Sequence, residues 1–244
     1  MATKRLQQVV LLATVFAALQ GCSGRSKEPY VFMLSDFMRV KELPYDSPTQ
    51  VIYRIDDHRF VTLERYRDCN HGEAFYNDTR ANIRQPLGRG SFENYQGYLI
   101  NADPTGQNLA FPAAAPPHLA SIDRGWTVEL MYSTDGGRTF SSMDYMEHSF
   151  KPYEDSKNRA VFVTNDRLYV AKKWGDDDSY VVEYPLMPGV VLGKPYPPGV
   201  TGDSFALSSR PRTFMNLHTP SRQEHISCDP SMKPTNPDAP LAPQ

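Results

Sequence analysis

Short runs of apolar and β-branched residues, separated by polar clusters, fill the middle of the chain and predict β-strands. Residues 51–55 and 59–64 are two such runs, and the polar cluster Asp56–His58 between them predicts a turn. Residues 126–132 form a third run, in which apolar and polar side chains alternate. Residues 160–171 contain two apolar runs around an Asn-Asp pair, which is typical of a tight hairpin. The pattern therefore favours antiparallel neighbours in a sheet.

Helical periodicity is scarce, and proline interrupts much of the remaining chain. Residues 179–184 predict one more strand, and residues 30–40 predict a short helix or strand. The chain has 21 prolines, and the proline-rich stretches 104–117 and 185–198 predict long loops. We expect a mainly β fold over residues 30–228, an antiparallel, propeller-like or sandwich-like domain with long loops.

The N-terminus has the layout of an export signal. Lys4 and Arg5 precede the apolar run Val9–Leu19, which is too short to span a bilayer. A small residue, Gly21, stands directly before Cys22. A cysteine at this position resembles the lipobox of bacterial lipoproteins. An ordinary signal peptide followed by a chance cysteine is the alternative.

The lipobox resemblance implies how the chain is processed and where it resides. Residues 1–21 would be removed, and Cys22 would become an acylated N-terminus that anchors the protein in the envelope. Residues 22–29 would form a short tether, and Ser23 stands where an inner-membrane retention signal places aspartate. This favours the periplasmic face of the outer membrane. Residues 229–244 hold five prolines and few apolar side chains, so we expect a disordered tail.

The charge of the chain bears on which partners it can bind, and its cysteines bear on whether it contains a disulfide. Without the first 21 residues the chain has 24 basic and 28 acidic residues, a net charge of about −4. No basic stripe stands out, so we expect no nucleic acid partner. With Cys22 set aside, Cys69 and Cys228 remain, and in an oxidising periplasm they predict one disulfide. Two free thiols are the alternative.

The sharpest local motif is the run Ser-Thr-Asp-Gly-Gly-Arg-Thr-Phe. Its pattern of Ser133, Asp135, Gly137, Thr139 and Phe140 resembles the Asp-box, a β-hairpin turn of β-propellers such as sialidases. In that motif the Asp accepts turn hydrogen bonds, a Gly adopts a conformation that other residues avoid, and the aromatic ring packs inward. The resemblance implies a structural hairpin and no catalytic group.

The sequence has no recognisable catalytic or metal-binding motif. It lacks a Gly-x-Ser-x-Gly elbow, a paired Cys-x-x-Cys and a His-Glu-x-x-His pattern. A turn and a disulfide neighbourhood account for the clusters Asp56–His58 and Cys69–His71. Asp176–Asp178 lacks the spacing of a calcium loop. We therefore expect no catalytic residue, no cofactor and no metal.

A larger block of the sequence resembles a known family. The block runs from Tyr53–Phe60 through Leu63–Glu64 and Cys69 to Tyr76–Thr79. Together with the lipobox and the Asp-box-like hairpin, it resembles bacterial immunity lipoproteins that neutralise lipase (phospholipase) effectors of type VI secretion. The resemblance covers most of the chain after the tether.

The resemblance implies a protein without enzymatic activity that binds a cognate lipase effector at the membrane. A lipid anchor would raise its local concentration there. The loops 101–121 and 187–204 are the candidate contact regions, chosen on length and composition. Two other functions stay open: an envelope lipoprotein that binds glycan or another envelope component, and a small Asp-box glycosidase.

Overall fold

The computed structural model describes residues 40–41, 45–88, 91–118, 123–175, 178–236 and 242–243. The predicted leader, Cys22, the tether and residues 30–39 of the element predicted over residues 30–40 lie outside these ranges. Among the described residues, no helix has the length and apolar content needed to cross a membrane.

Strands dominate the described chain, with one short helix and two 3₁₀ turns. β1 (Val40–Lys41) pairs with β14 (Ala242–Pro243), in a unit formed by residues 1–42 and 241–244. The other unit covers residues 43–240. Its strands are β2 (Gln50–Arg54), β3 (Arg59–Asp68), β4 (His71–Asp78), β5 (Ile83–Pro86), β6 (Tyr98–Asn101), β7 (Leu109–Pro112), β8 (Trp126–Ser133), β9 (Ser141–Ser149), β10 (Arg159–Val163), β11 (Arg167–Trp174), β12 (Asp178–Pro185) and β13 (Asp203–Ala206). The helix α1 is Pro152–Ser156, and the 3₁₀ turns are Phe92–Asn94 and Leu207–Ser209.

The described strands of the larger unit form three sheets. Their orders are β2-β3-β4-β5, β7-β8-β9 and β13-β12-β11-β10-β6. Neighbours are antiparallel except β6 and β10, which pair in parallel. The prediction of a mainly β, antiparallel fold is confirmed.

The predicted hairpins form where the local pattern placed them. The turn between β2 and β3 is closed by the Ile55 amide, which donates to the Arg59 carbonyl at 2.9 Å. The turn between β10 and β11 is closed by the Thr164 amide, which donates to the Arg167 carbonyl at 2.8 Å. β8 and β12 cover the two other predicted strands. Local sequence pattern therefore predicted these six strands.

One predicted loop contains a strand, so that part of the prediction is wrong. β7 lies inside the stretch 104–117, and all four of its residues are buried. Because both faces of β7 are covered, no alternation of apolar and polar residues marks it in the sequence. Its last residue is Pro112, which is tolerated because β7 is an edge strand of its sheet.

The three sheets share one apolar core, rich in aromatic rings. The ring of Phe111 on β7 packs edge-on against Phe92 at 5.4 Å and also contacts Tyr76 of β4 at 5.6 Å, measured between centroids. The largest fully buried aromatic side chains are Tyr53, Tyr66, Tyr76, Phe92, Tyr95 and Phe111. Each buried ring of this size contributes about 1.5–3 kcal/mol through removal of apolar surface from water.

A smaller apolar cluster lies on the other face of the five-stranded sheet. It is formed by Ala171, Val181 and Phe205, and residues 207–215 (the covering segment) pack against it. The ring of Phe214 stacks on Phe162 of β10 with a centroid distance of 4.1 Å. A cavity remains between the covering segment and this face of the sheet.

Candidate functional site

The Asp-box-like hairpin joins β8 to β9 and is held by its own side chains. The hydroxyl of Ser133 donates to Asp135 Oδ1 at 2.7 Å and accepts from the Gly137 amide at 2.9 Å. Thr139 donates to the Asp135 carboxylate through its amide at 3.0 Å and its hydroxyl at 2.6 Å. Burial alone would raise the pKa of Asp135, but the bonds from Thr139 and Ser133 outweigh it and lower that pKa. The carboxylate is fully used in the turn.

The same hairpin packs against the core, as the motif implies. Gly137 has φ +84°, and a Cβ there would overlap the ring of Tyr76. The ring of Phe140 packs edge-on against Tyr76 at 5.9 Å and contacts Phe111 at 5.8 Å. The Gly136 amide donates to the Gln107 carbonyl at 2.9 Å. The hairpin therefore connects β4, through packing on Tyr76, with the loop before β7, through a backbone hydrogen bond.

The turn Asp56–His58 gathers three side chains whose ligand atoms lie within 4.8 Å of one another. Protein cations and amides already engage both carboxylates. Asp56 accepts from the amide of Arg59 at 2.8 Å and from its Nε at 2.7 Å, and Asp57 pairs with Arg80. Burial raises the pKa of Asp56, but the bonds from Arg59 and His58 bring it below its ordinary value. These contacts are those of a turn.

A disulfide joins Cys69, in the turn between β3 and β4, to Cys228, with a Cα–Cα distance of 5.8 Å. Residues 219–236 (the C-terminal segment) run along the free edge of β2. The amides of Ser221 and Ser227 donate to the carbonyls of Ile55 and Ile52, each at 2.8 Å. This contact covers an edge that would otherwise present unpaired backbone groups.

The start of the predicted disordered tail differs from the structure. Residues 229–236 belong to the C-terminal segment, and the Asp229 amide donates to Gln50 Oε1 at 2.8 Å. The Thr235 amide donates to Asp46 Oδ1 at 2.7 Å. Polar side chains, and not apolar burial, hold this stretch, which is why composition did not reveal it. The rest of the tail lies outside the described residues, except 242–243.

Glu93 is a buried carboxyl group in the first 3₁₀ turn, with 5% of its surface exposed. Burial raises its pKa to about 7, the charge of Asp68 adds to the rise, and backbone hydrogen bonds from Glu93 and Gly72 oppose it. The folded protein therefore holds a proton here at a pH where an unfolded chain has released it. The contribution of Glu93 to stability is lost as pH rises from about 4.5 to about 7.

We expect Glu93→Gln to raise the free energy of unfolding at pH 8 and to change it little at pH 5. The glutamine mimics the protonated acid, and the removed penalty is on the order of 3 kcal/mol. Urea unfolding at the two pH values measures the difference. Glu129→Gln, the same change at an exposed position of β8, is the control and should be nearly neutral at both. If the two variants changed the free energy of unfolding equally at both pH values, the raised pKa of Glu93 would be contradicted.

The two candidate contact loops differ in exposure. In the loop 101–121, the exposed tip is residues 104–107, and the following strand β7 is buried. The loop 187–204 is mostly exposed and is attached to the core by Val190 and Leu192. The Leu192 amide donates to the Tyr132 hydroxyl at 2.9 Å. Within the part of the two loops that the structure describes, only the second presents a long exposed surface.

Two neighbouring cavities lie where β10 begins and β11 ends, and the sequence prediction missed them. Their volumes are about 510 and 380 Å³, and they share Asn158, Arg159 and Lys173 as lining residues. We name the two cavities together the basic cleft. Arg159 begins β10 and pairs across the ladder with Lys172 on β11. Arg159 and the two lysines come from different strands, so their spacing in the sequence does not reveal the cleft. The one signal in the sequence is the run Lys172–Trp174 at the end of a strand.

Comparisons with known proteins identify the family. A search of curated proteins found no match. The family model described as T6SS Tli3 immunity protein, where T6SS is the type VI secretion system, matches residues 45–172. The match runs from just before β2 into β11 and covers more than half of the chain. The recognition of a type VI secretion immunity family is thereby confirmed, and the chain belongs to the Tli3 family of type VI secretion immunity proteins.

Proposed function

We propose that this immunity protein binds and neutralises a cognate lipase effector of type VI secretion, a phospholipase, from a lipid anchor in the cell envelope. The observation that carries the proposal is the family match over residues 45–172. An immunity protein acts by forming a complex with its effector, and complex formation requires no catalytic turnover. We propose accordingly that the chain has no enzymatic activity.

Three features of the chain support the lipase and the envelope. The block from Tyr53 to Thr79 resembles immunity lipoproteins that act on lipase effectors. The lipobox-like Cys22 would place the inhibitor at the surface that a phospholipase attacks. The disulfide between Cys69 and Cys228 is the kind of bond that persists in an oxidising compartment.

The test is survival of cells that export the effector encoded beside this gene to the periplasm. We expect co-expression of the full chain to restore growth and the two proteins to co-purify. A chain without residues 1–21 stays in the cytoplasm and should not protect. Cys22→Ala removes the acylation site and should protect less well. Cell death in spite of confirmed export of the full chain would contradict the proposal.

A further inference from the structure

The larger cavity of the basic cleft lies between the covering segment and the five-stranded sheet. Ala160 and Ala171 form its apolar floor, and Leu207 and Ser208 line its other side. Its described charged residues are three cations, Lys157, Arg159 and Lys173, and one carboxylate, Asp178. The larger cavity is therefore positive on a chain whose net charge is negative. Lys157 is paired with Glu154, so Arg159 and Lys173 are its cations without an ion pair among the described residues. The smaller cavity adds Lys172 and two carboxylates, Glu147 and Asp155.

The single carboxylate of the larger cavity is engaged by the protein itself. Asp178 accepts from the Ser208 hydroxyl at 2.6 Å, the Ser208 amide at 3.0 Å and the Ser179 amide at 2.7 Å. These bonds, led by the Ser208 hydroxyl, lower the pKa of Asp178 and keep it charged while fixing the covering segment to β12. Asp178 therefore shapes the cleft without pairing with its cations.

Arg159 stands between the two cavities without an acidic partner. Its Nη1 donates to the Tyr145 carbonyl at 3.1 Å, and its guanidinium lies 5.5 Å from the centre of the Tyr145 ring. Its Nε is buried and has no hydrogen-bond partner in the described part of the chain, where no carboxylate pairs with Arg159 either. A half-buried guanidinium without an acidic partner suits a carboxylate, because its planar fork matches that group.

Exposed cations and aromatic rings lie in the basic cleft or next to its lining residues in the chain. Lys172 and Lys173 are exposed, and neither forms an ion pair within the described ranges. Trp174, which follows them, is 67% exposed, and Tyr98, which lines the larger cavity, is 50% exposed. Arginine, tryptophan and tyrosine are the residue types that dominate binding energy at protein interfaces. This combination favours a protein partner with acidic side chains.

We propose that the basic cleft is the docking site of the effector, and that Arg159 receives an aspartate or glutamate side chain from an acidic segment of the effector surface. The inference deepens the proposed function and rests on it. Arg159 lies inside the family match, which ends at Lys172, whereas Lys173, Trp174 and the covering segment lie beyond it.

The experiment measures binding of the purified full chain to the effector encoded beside its gene, in about 0.15 M salt. We expect Lys173→Glu to weaken binding about tenfold or more, mainly through slower association, since it reverses a rim charge. Arg159→Gln should weaken binding by thirtyfold or more, because the effector carboxylate is left buried and unpaired. Urea unfolding verifies that each variant is folded. Lys173 is exposed, so its variant remains informative if Arg159→Gln is unstable.

Lys233→Glu is the matched control, since it makes the same charge change at an exposed lysine of the C-terminal segment. It should bind within about twofold of wild type, as expected for a charge outside the interface. If Lys173→Glu and Arg159→Gln both bind the effector as tightly as wild type does, the cleft is not the docking site. The proposed function would then stay intact. Lys194→Glu changes an exposed lysine of the loop 187–204 in the same way. Loss of binding in this variant alone would place the contact on that loop and overturn the proposal of the cleft. A wild-type chain that neither binds nor protects would remove both proposals.

Discussion

Replacement of Cys69 and Cys228 by serine, with Cys22 kept, is expected to lower the free energy of unfolding by about 2–5 kcal/mol. The bridge spans a sequence separation of 159 residues, and restricting so long a loop in the unfolded chain is worth about 5 kcal/mol in the chain-entropy model. The folded chain would also lose the covalent link that keeps the C-terminal segment on β2. Urea unfolding of the two proteins gives the change.

Reduction supplies the control for this double variant. Wild-type protein in excess dithiothreitol should unfold at the same urea concentration as the variant, whereas the variant itself should not respond to dithiothreitol. Hydrogen exchange should accelerate first at Ser221 and Ser227, whose amides donate to β2. A variant that unfolds at the wild-type midpoint would show that the hydrogen bonds of the C-terminal segment suffice without the bridge.

Gly137→Ala is expected to destabilise the protein by about 2–5 kcal/mol. An alanine must adopt the left-handed conformation at φ +84°, which costs roughly 1–2 kcal/mol. Its Cβ would also overlap the ring of Tyr76, a fully buried side chain, and such overpacking costs about 1–3 kcal/mol. The midpoint of thermal or urea unfolding reports the sum.

Gly189→Ala separates the two causes. Gly189 has φ +85°, almost the same backbone conformation, but no heavy atom lies within 4 Å of the added Cβ. This variant should therefore lose only the backbone part, roughly 1–2 kcal/mol. If the two variants lost equal stability, the packing of the hairpin against Tyr76 would not contribute, and the Asp-box-like turn would be a local feature only.

Local sequence pattern was sufficient for the hairpins but not for elements that depend on distant partners. The pairing of β10 with β11 follows from two apolar runs around an Asn-Asp turn. β7 was hidden because both of its faces are buried, and its partner β8 lies beyond a proline-rich stretch. Residues 229–236 were hidden because single polar contacts to Gln50 and Asp46 hold them.

The motif residues and the basic cleft show the same contrast. Ser133, Asp135 and Thr139 lie within one turn, so the resemblance of a short run to the Asp-box was enough to imply that Asp135 accepts turn hydrogen bonds. Arg159 and Lys173 meet because β10 and β11 are neighbours, and the covering segment closes the cavity from more than 30 residues further along the chain. A site assembled across strands in this way has no spacing signature in one sequence.

The most direct test of the account is whether this protein, attached to phospholipid vesicles through the lipid proposed at Cys22, blocks hydrolysis of those vesicles by the purified effector. We predict that activity falls in proportion to the amount of anchored protein until it is abolished, and that Lys173→Glu requires more protein for the same inhibition. Undiminished hydrolysis in the presence of excess folded protein would contradict the account.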